Sequence, residues 1–262
     1  MYRRFMSLSG EKCRMIKILV TAPRGHMDSL IIREAVRSSD IEVAGAVGPC
    51  GREYIGRDAG ELCGIGAIGV TVSDDIEKII EDCDVVVDYS QVEFSMQVLE
   101  TCVRHRRPLI CGTTGFSDSQ CAEFEKAARE IPVMKAANTS FMVQLMQNLL
   151  FDAAAGLAGR CRIEIIDMHD ENKLDAPSGT AIEMAETMAK ASGRPKEEIA
   201  FHSVRAGDIP SSHTVIFGAA GERMEITHHA YTWECYAKGA CDAVRFMAGR
   251  SKGFYTMADV VG

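Results

Sequence analysis

Ile16-Lys17-Ile18-Leu19-Val20-Thr21-Ala22-Pro23-Arg24-Gly25-His26-Met27-Asp28 passes from a β-branched apolar run into a turn, and residues 29–37 follow with helical spacing. Residues 41–47 form a second apolar run. Strand, turn, helix and strand within about thirty residues make a βαβ unit, whose two strands lie parallel. The pattern then repeats: a short strand at 70–72, a helix over 76–81, a strand over 84–89 and a helix over 94–105. A strand over 108–111, a helix over 119–130 and a strand over 131–136 complete it. The alternation predicts an α/β protein whose first half is a doubly wound, Rossmann-type sheet. In such a sheet the ligand lies beyond the carboxyl ends of the strands.

The architecture changes past Asn138-Thr139-Ser140. A helical run over 141–158 leads to a strand over 162–168, a helix over 181–191, alternating strands near 201–208, 213–217 and 222–230, and a closing helix over 240–248. This reads as a dinucleotide-binding domain over 1–140, with 241–262 packing back on it. A substrate-binding and oligomerisation domain of α+β type, with an open mixed sheet, spans 141–240.

Composition bounds the function. Of 262 residues, 47% are hydrophobic and 25% charged, which is ordinary for a soluble globular protein. The net charge of -8 argues against a nucleic-acid partner and means that an anionic ligand must be captured by local positive groups. The ten cysteines stand singly, without CxxC or zinc spacing, so a reducing cytoplasm is expected. No apolar run approaches the ~20 residues of a membrane span. Residues 1–14 lack an apolar core and read as a frayed extension rather than a secretory signal.

Chemistry concentrates in Asp167-Met168-His169-Asp170-Glu171-Asn172-Lys173-Leu174-Asp175-Ala176-Pro177-Ser178-Gly179-Thr180-Ala181. One imidazole, one ammonium and four carboxylates precede a Ser-Gly-Thr turn that opens a helix. Helix N-termini present unpaired N–H groups, so Ser178, Gly179 and Thr180 form an anion seat. His169 and Lys173 stand close enough to face the same ligand and give it a proton. Asp175 reads as a brace for the turn, and Glu222 and Arg223 as a surface or interface pair.

The cofactor turn is a poor G-x-G-x-x-G: Gly25 alone falls in a clear place, between Ala22 and Asp28. The second strand ends without the acid that would bind the ribose hydroxyls of NAD, reading Val47-Gly48-Pro49-Cys50-Gly51-Arg52, so Arg52 or Arg24 is placed to meet a 2′-phosphate. Asp88-Tyr89-Ser90 and Gly112-Thr113-Thr114-Gly115 follow successive strands on the face where a cofactor would run.

From about Ile16 onward the chain resembles the bacterial dihydrodipicolinate reductase family. The resemblance rests on Lys173-Leu174-Asp175-Ala176-Pro177-Ser178-Gly179-Thr180-Ala181, on Gly56-Arg57-Asp58-Ala59-Gly60-Glu61-Leu62 and on Gly112-Thr113-Thr114-Gly115-Phe116. Val204-Arg205-Ala206-Gly207-Asp208-Ile209 and Gly221-Glu222-Arg223-Met224-Glu225-Ile226-Thr227-His228 follow in the right order. It implies reduction of a cyclic imine-type dicarboxylate, 4-hydroxy-tetrahydrodipicolinate, by NADPH or NADH in lysine and diaminopimelate synthesis, and a homotetramer built through the second sheet. It further implies that His169 and Lys173 are catalytic, and that Asp170, Ser178, Gly179 and Thr180 face substrate. Ala22, Gly25, His26, Met27, Arg52, Tyr89, Gly112, Thr113, Thr114, Gly115, Asn138 and Ser140 would line the cofactor path.

The chain also departs from the family. Asp170 stands where a second histidine is usual, Trp233 and Asp242 where arginines are common, and Ser211 where a turn glycine is expected. These changes read as a loss of positive charge from the substrate pocket. They leave open a paralogue that reduces a less anionic cyclic imine or enone, and a non-catalytic member that keeps cofactor affinity.

Overall fold

The computed structural model describes residues 14–157 and 159–262; the reading of 1–14 as an extension falls, Arg14 apart, outside them. The first half alternates β1 (Ile16–Thr21), α1 (His26–Arg37), β2 (Ile41–Val47), α2 (Ala59–Leu62), β3 (Val72–Ser73) and β4 (Val85–Asp88). It continues through α3 (Val92–His105), β5 (Leu109–Cys111), α4 (Asp118–Ala127) and β6 (Pro132–Lys135). The second half runs α5 (Phe141–Gly156), β7 (Arg162–His169), α6 (Gly179–Ser192), β8 (Ala200–Arg205), β9 (Ser211–Ala219) and β10 (Glu222–Ala230). It closes with α7 (Glu234–Met247), β11 (Gly253–Tyr255) and α8 (Met257–Val261).

The first sheet has seven strands in the order β11-β6-β5-β4-β1-β2-β3, every pair parallel. Alternation along β1 explains why both faces are covered. Ile18 and Val20 join a core that holds Ile31 of α1 and Ala240 and Val244 of α7, whereas Leu19 joins Val98 of α3 and Phe124 of α4. A strand buried on both sides reads as a continuous apolar run, which is how β1 and β4 read. The strand order reverses between β1 and β4, so the crevice expected for a ligand opens past Thr21 and Asp88.

The second sheet runs β10-β9-β7-β8, with β7 and β8 parallel and β9 antiparallel to both β7 and β10. Val143, Met146 and Leu150 of α5 and Ala181, Met184 and Met188 of α6 cover one face, against Ile163, Ile165, Val215 and Phe217. The period-two pattern of β7 buries Ile163, Ile165, Asp167 and His169 on one side. Two polar side chains therefore end a row of core residues, beside the start of α6.

Several elements depart from the sequence reading. Residues 76–81 form two 3₁₀ turns, Ile76–Lys78 and Ile80–Asp82, rather than one helix; Asp75 caps the first, and Ile79 leaves helical geometry at φ -124°. The helix expected over 240–248 opens at Glu234, so Tyr236, Ala237 and Ala240 are buried. Thr139 Oγ1 donates to the Tyr236 carbonyl at 2.8 Å and ties this helix to the segment before α5. β11, three residues long and without a period of its own, extends the first sheet by pairing with β6. Arg223 pairs with Glu225 at 2.7 Å, not with Glu222, because i and i+2 share a face of a strand.

Candidate active site

A cavity of about 200 Å³ lies between the two sheets, lined from the first half by Met27, Tyr89, Gly112 and Asn138 and from the second by His169, Lys173, Thr180 and Ser211. Trp233 and Tyr236, at the start of α7, close another side. The cofactor-side and substrate-side expectations therefore meet in one space.

His169 ends β7 and is 6% exposed. Its Nδ1 is buried, 3.3 Å from Asp167 Oδ1 without hydrogen-bond geometry, which leaves Nε2 as the nitrogen a ligand can reach. Burial, helped by the positive charge of Lys173, holds its pKa below the usual histidine value, so the imidazole is neutral at pH 7. Lys173 Nζ pairs with Asp175 Oδ1 at 2.8 Å. Burial alone would raise the Asp175 carboxyl; the Lys173 ammonium outweighs it and holds the group below its usual range.

Asp167 organises the loop between them. Its carboxylate accepts from Arg205 Nη1 at 2.6 Å, Ser203 Oγ at 2.8 Å and the Ser178 N–H at 3.1 Å. Desolvation would raise its pKa, but these donors keep the group ionised and below its usual range. Ser178 is buried as the N-cap of α6, its Oγ accepting from the Ala181 N–H at 3.2 Å. Gly179 is exposed, and Thr180 Oγ1 accepts from Asn138 Nδ2 at 3.1 Å. Asn138 Oδ1 in turn accepts from the Ser140 N–H at 2.9 Å, and Ser140 caps α5 outside the cavity lining.

The cofactor-side residues divide. Ala22 turns the chain with φ 39°, and Gly25 is the N-cap of α1 with no side-chain cap, leaving the helix's first N–H groups available. A Cβ on Gly25 would meet Asp28 Oδ2 at 2.5 Å and the Ala22 carbonyl at 3.0 Å. Met27 lines the cavity, and His26 meets Trp233 edge-on, ring centroids 5.3 Å apart. A Cβ on Gly112 would meet the Tyr89 ring at 2.0 Å, and Tyr89 donates to Thr139 Oγ1 at 3.3 Å. Thr113 is buried, accepting from Ser95 Oγ at 2.9 Å, whereas Thr114 and Gly115 are exposed and stand outside the lining. Arg52 is exposed and also outside it; Arg24 pairs with Glu53.

Asp28 occupies the last glycine position of the fingerprint. It is fully buried, one oxygen accepting from the Tyr89 N–H at 3.2 Å and the other unpartnered. Burial, with the Asp88 charge beside it, pushes its pKa well above the carboxylate range. A carboxyl whose ionisation burial disfavours opposes a phosphate at the start of α1 less than an exposed carboxylate would.

Two of the acidic residues singled out in the sequence lie outside this cavity. Asp170 does not face the cavity that holds His169: it accepts from the Asn172 N–H at 3.0 Å and lines a neighbouring space with His26 and Trp233. Asp242 does not face it either, but pairs with Arg245 at 2.8 Å, which also holds Asp40 at 2.7 Å. Tyr236 and Pro210 were not expected in the lining. Neither carries a sequence signal; the only tryptophan, Trp233, marks that corner.

Residues 16–139 match the family model described as dihydrodipicolinate reductase, N-terminus, and residues 142–261 the C-terminal one. The chain belongs to the dihydrodipicolinate reductase family. It is 38% identical to the 4-hydroxy-tetrahydrodipicolinate reductase of Geobacter sulfurreducens and 37% to that of Geobacter metallireducens, over 95% of this chain and 99% of each relative. Among solved structures, the dipicolinate-bound dihydrodipicolinate reductase of Paenisporosarcina sp. TG-14 superposes with a TM-score of 0.77 at 23% identity. That match covers 95% of this chain and 100% of that one, and it agrees with the two-sheet fold. The family match spans both sheets, so the cavity between them lies within the shared architecture.

Proposed function

We propose that this chain is a 4-hydroxy-tetrahydrodipicolinate reductase, using NADPH or NADH to reduce that cyclic dicarboxylate in lysine and diaminopimelate biosynthesis. The observation that carries the reading is the single cavity where the open N-terminus of α1, Tyr89 and Gly112 meet His169, Lys173 and Thr180. The 38% identity to a curated reductase along nearly its whole length supports the same reaction.

The residues fit a dinucleotide. The uncapped start of α1 and the bare Gly25, beside an Asp28 whose ionisation burial disfavours, suit a pyrophosphate, and the Gly112–Tyr89 contact makes a flat wall for a ring. The bound nicotinamide supplies the hydride. On this reading Lys173 donates the proton that quenches the charge left on the substrate, and neutral His169 orients the ring through Nε2. Thr180 and the N–H groups at the start of α6 hold a carboxylate. No acid directly ends β2, and Arg52, together with Arg24 once released from its pair with Glu53, favours acceptance of the 2′-phosphate of NADPH.

Asp170 and Asp242, the charge changes that favoured a less anionic substrate, lie outside the cavity and do not weigh against a dicarboxylate. Among the described residues, nine cysteines are free, which suits a reducing cytoplasm, and no helix is long and apolar enough to cross a membrane. The uncovered face of the second sheet, with Val204 and Met224 exposed, is the surface through which a homotetramer would form. Expression in a diaminopimelate auxotroph that lacks its own reductase should restore growth; failure, with the protein folded and abundant, would contradict the proposal.

A further inference from the structure

Ser211 and His213 belong to no role assigned so far. His213 lies in β9 at 0% exposure, directly opposite Asp167 of β7, and its ring meets that of His169 edge-on at 5.3 Å. Both ring nitrogens touch hydroxyls: Nε2 lies 3.2 Å from Ser178 Oγ and Nδ1 3.3 Å from Ser211 Oγ. Ser178 Oγ already accepts from the Ala181 N–H, and at 2% exposure its own hydrogen has no other partner among the described residues. An unpaired buried donor is costly, so Ser178 donates to Nε2. The proton of neutral His213 then sits on Nδ1 and is donated to Ser211 Oγ. Burial, with His169 adjoining, pushes His213 down to about 3, so this tautomeric state holds across neutral pH.

With a lone pair taken by His213, the Ser211 hydrogen is donated toward the Tyr236 phenol oxygen at the wall of the cavity that both residues line, where a substrate oxygen can take it over. We infer that Ser211 is a substrate-contacting donor, recognising a ring hydroxyl or carboxylate oxygen, and that His213 is the positioning residue that orients it. The same bonds remove the Ser178 hydroxyl from the substrate, so the anion seat works through backbone N–H groups and Thr180.

The inference rests on the reductase reading, and its test separates the two. In steady-state assays Ser211→Ala should raise KM for the cyclic substrate about fivefold, with kcat within a factor of about two and nucleotide affinity unchanged. His213→Gln, whose amide reaches the Nε2 position but not the Nδ1 position, should show a similar rise. The double variant should be no worse than either single one. Nitrogen-15 NMR of the wild type should find the His213 proton on Nδ1. An unchanged KM in Ser211→Ala, independent effects in the double variant, or a proton on Nε2 would overturn the inference. Ser211→Ala and the NMR measurement decide the matter even where His213→Gln does not fold. A wild type without reductase activity would instead overturn the proposed function.

Discussion

Lys173 and His169 share a cavity, yet their surroundings push them toward different tasks. Burial and the Lys173 charge oppose protonation of His169, which makes it a poor proton donor at pH 7. Lys173, paired with Asp175 at the cavity edge, is the remaining acid on the substrate side. Lys173→Ala should therefore lower kcat by roughly two to four orders of magnitude, the usual contribution of a positioned acid. Nucleotide binding, followed by fluorescence titration, should stay intact; unchanged turnover would remove Lys173 from its assigned role. The same scale shows what sequence could not tell about Asp170. Its position next to His169 was plain, but the direction of a carboxylate depends on which donor it finds, and here Asn172 supplies one two residues on. Asp242 likewise reads as a pocket charge until Arg245 and Asp40 are seen around it.

At the scale of elements, the strands and helices that bury apolar rows were readable because their periods differ and their lengths suffice. The run into β1, the helix after the cofactor turn and the strand that delivers His169 follow from that alone. The cofactor turn was harder, because one glycine among three expected gives little pattern. Its fitness lies in an N-cap without a side-chain cap and in a buried carboxyl whose ionisation is disfavoured. Short elements escaped for a related reason: β11 exists because β6 offers an edge, not because three residues prefer extension. The turns after β1 and β2 also carry the cofactor prediction. Arg24→Ala with Arg52→Ala should raise KM for NADPH at least about tenfold while leaving NADH nearly unaffected, the loss of a charge-assisted phosphate contact. Equal losses for both nucleotides would mean the arginines support the turn rather than read the phosphate.

Across the whole molecule, buried ionisable groups make stability depend on pH in two opposing ways. His213, His169 and His228 are all held below their usual value, chiefly by burial. The unfolded chain takes up their protons first, so the stability they contribute is present above about pH 6.5 and is lost as pH falls toward the folded values. For His213, whose folded value is about 3, the loss should approach about 1.4 kcal/mol per pH unit between those limits. Asp28 acts the other way: its raised value means stability is lost as pH rises above its usual range, so Asp28→Asn should raise the melting temperature at pH 7. Melting curves from pH 4 to 8 would check both, and a flat profile in the wild type would contradict the burial of these groups as charge-free.

The central claim is that one cavity brings a nicotinamide nucleotide and a cyclic dicarboxylate together. The most direct measurement is nucleotide oxidation by the purified chain, with 4-hydroxy-tetrahydrodipicolinate generated in situ and NADPH and NADH supplied separately. Substrate-dependent oxidation is expected with NADPH, weaker or equal with NADH. Saturable nucleotide binding without oxidation of either one would contradict it.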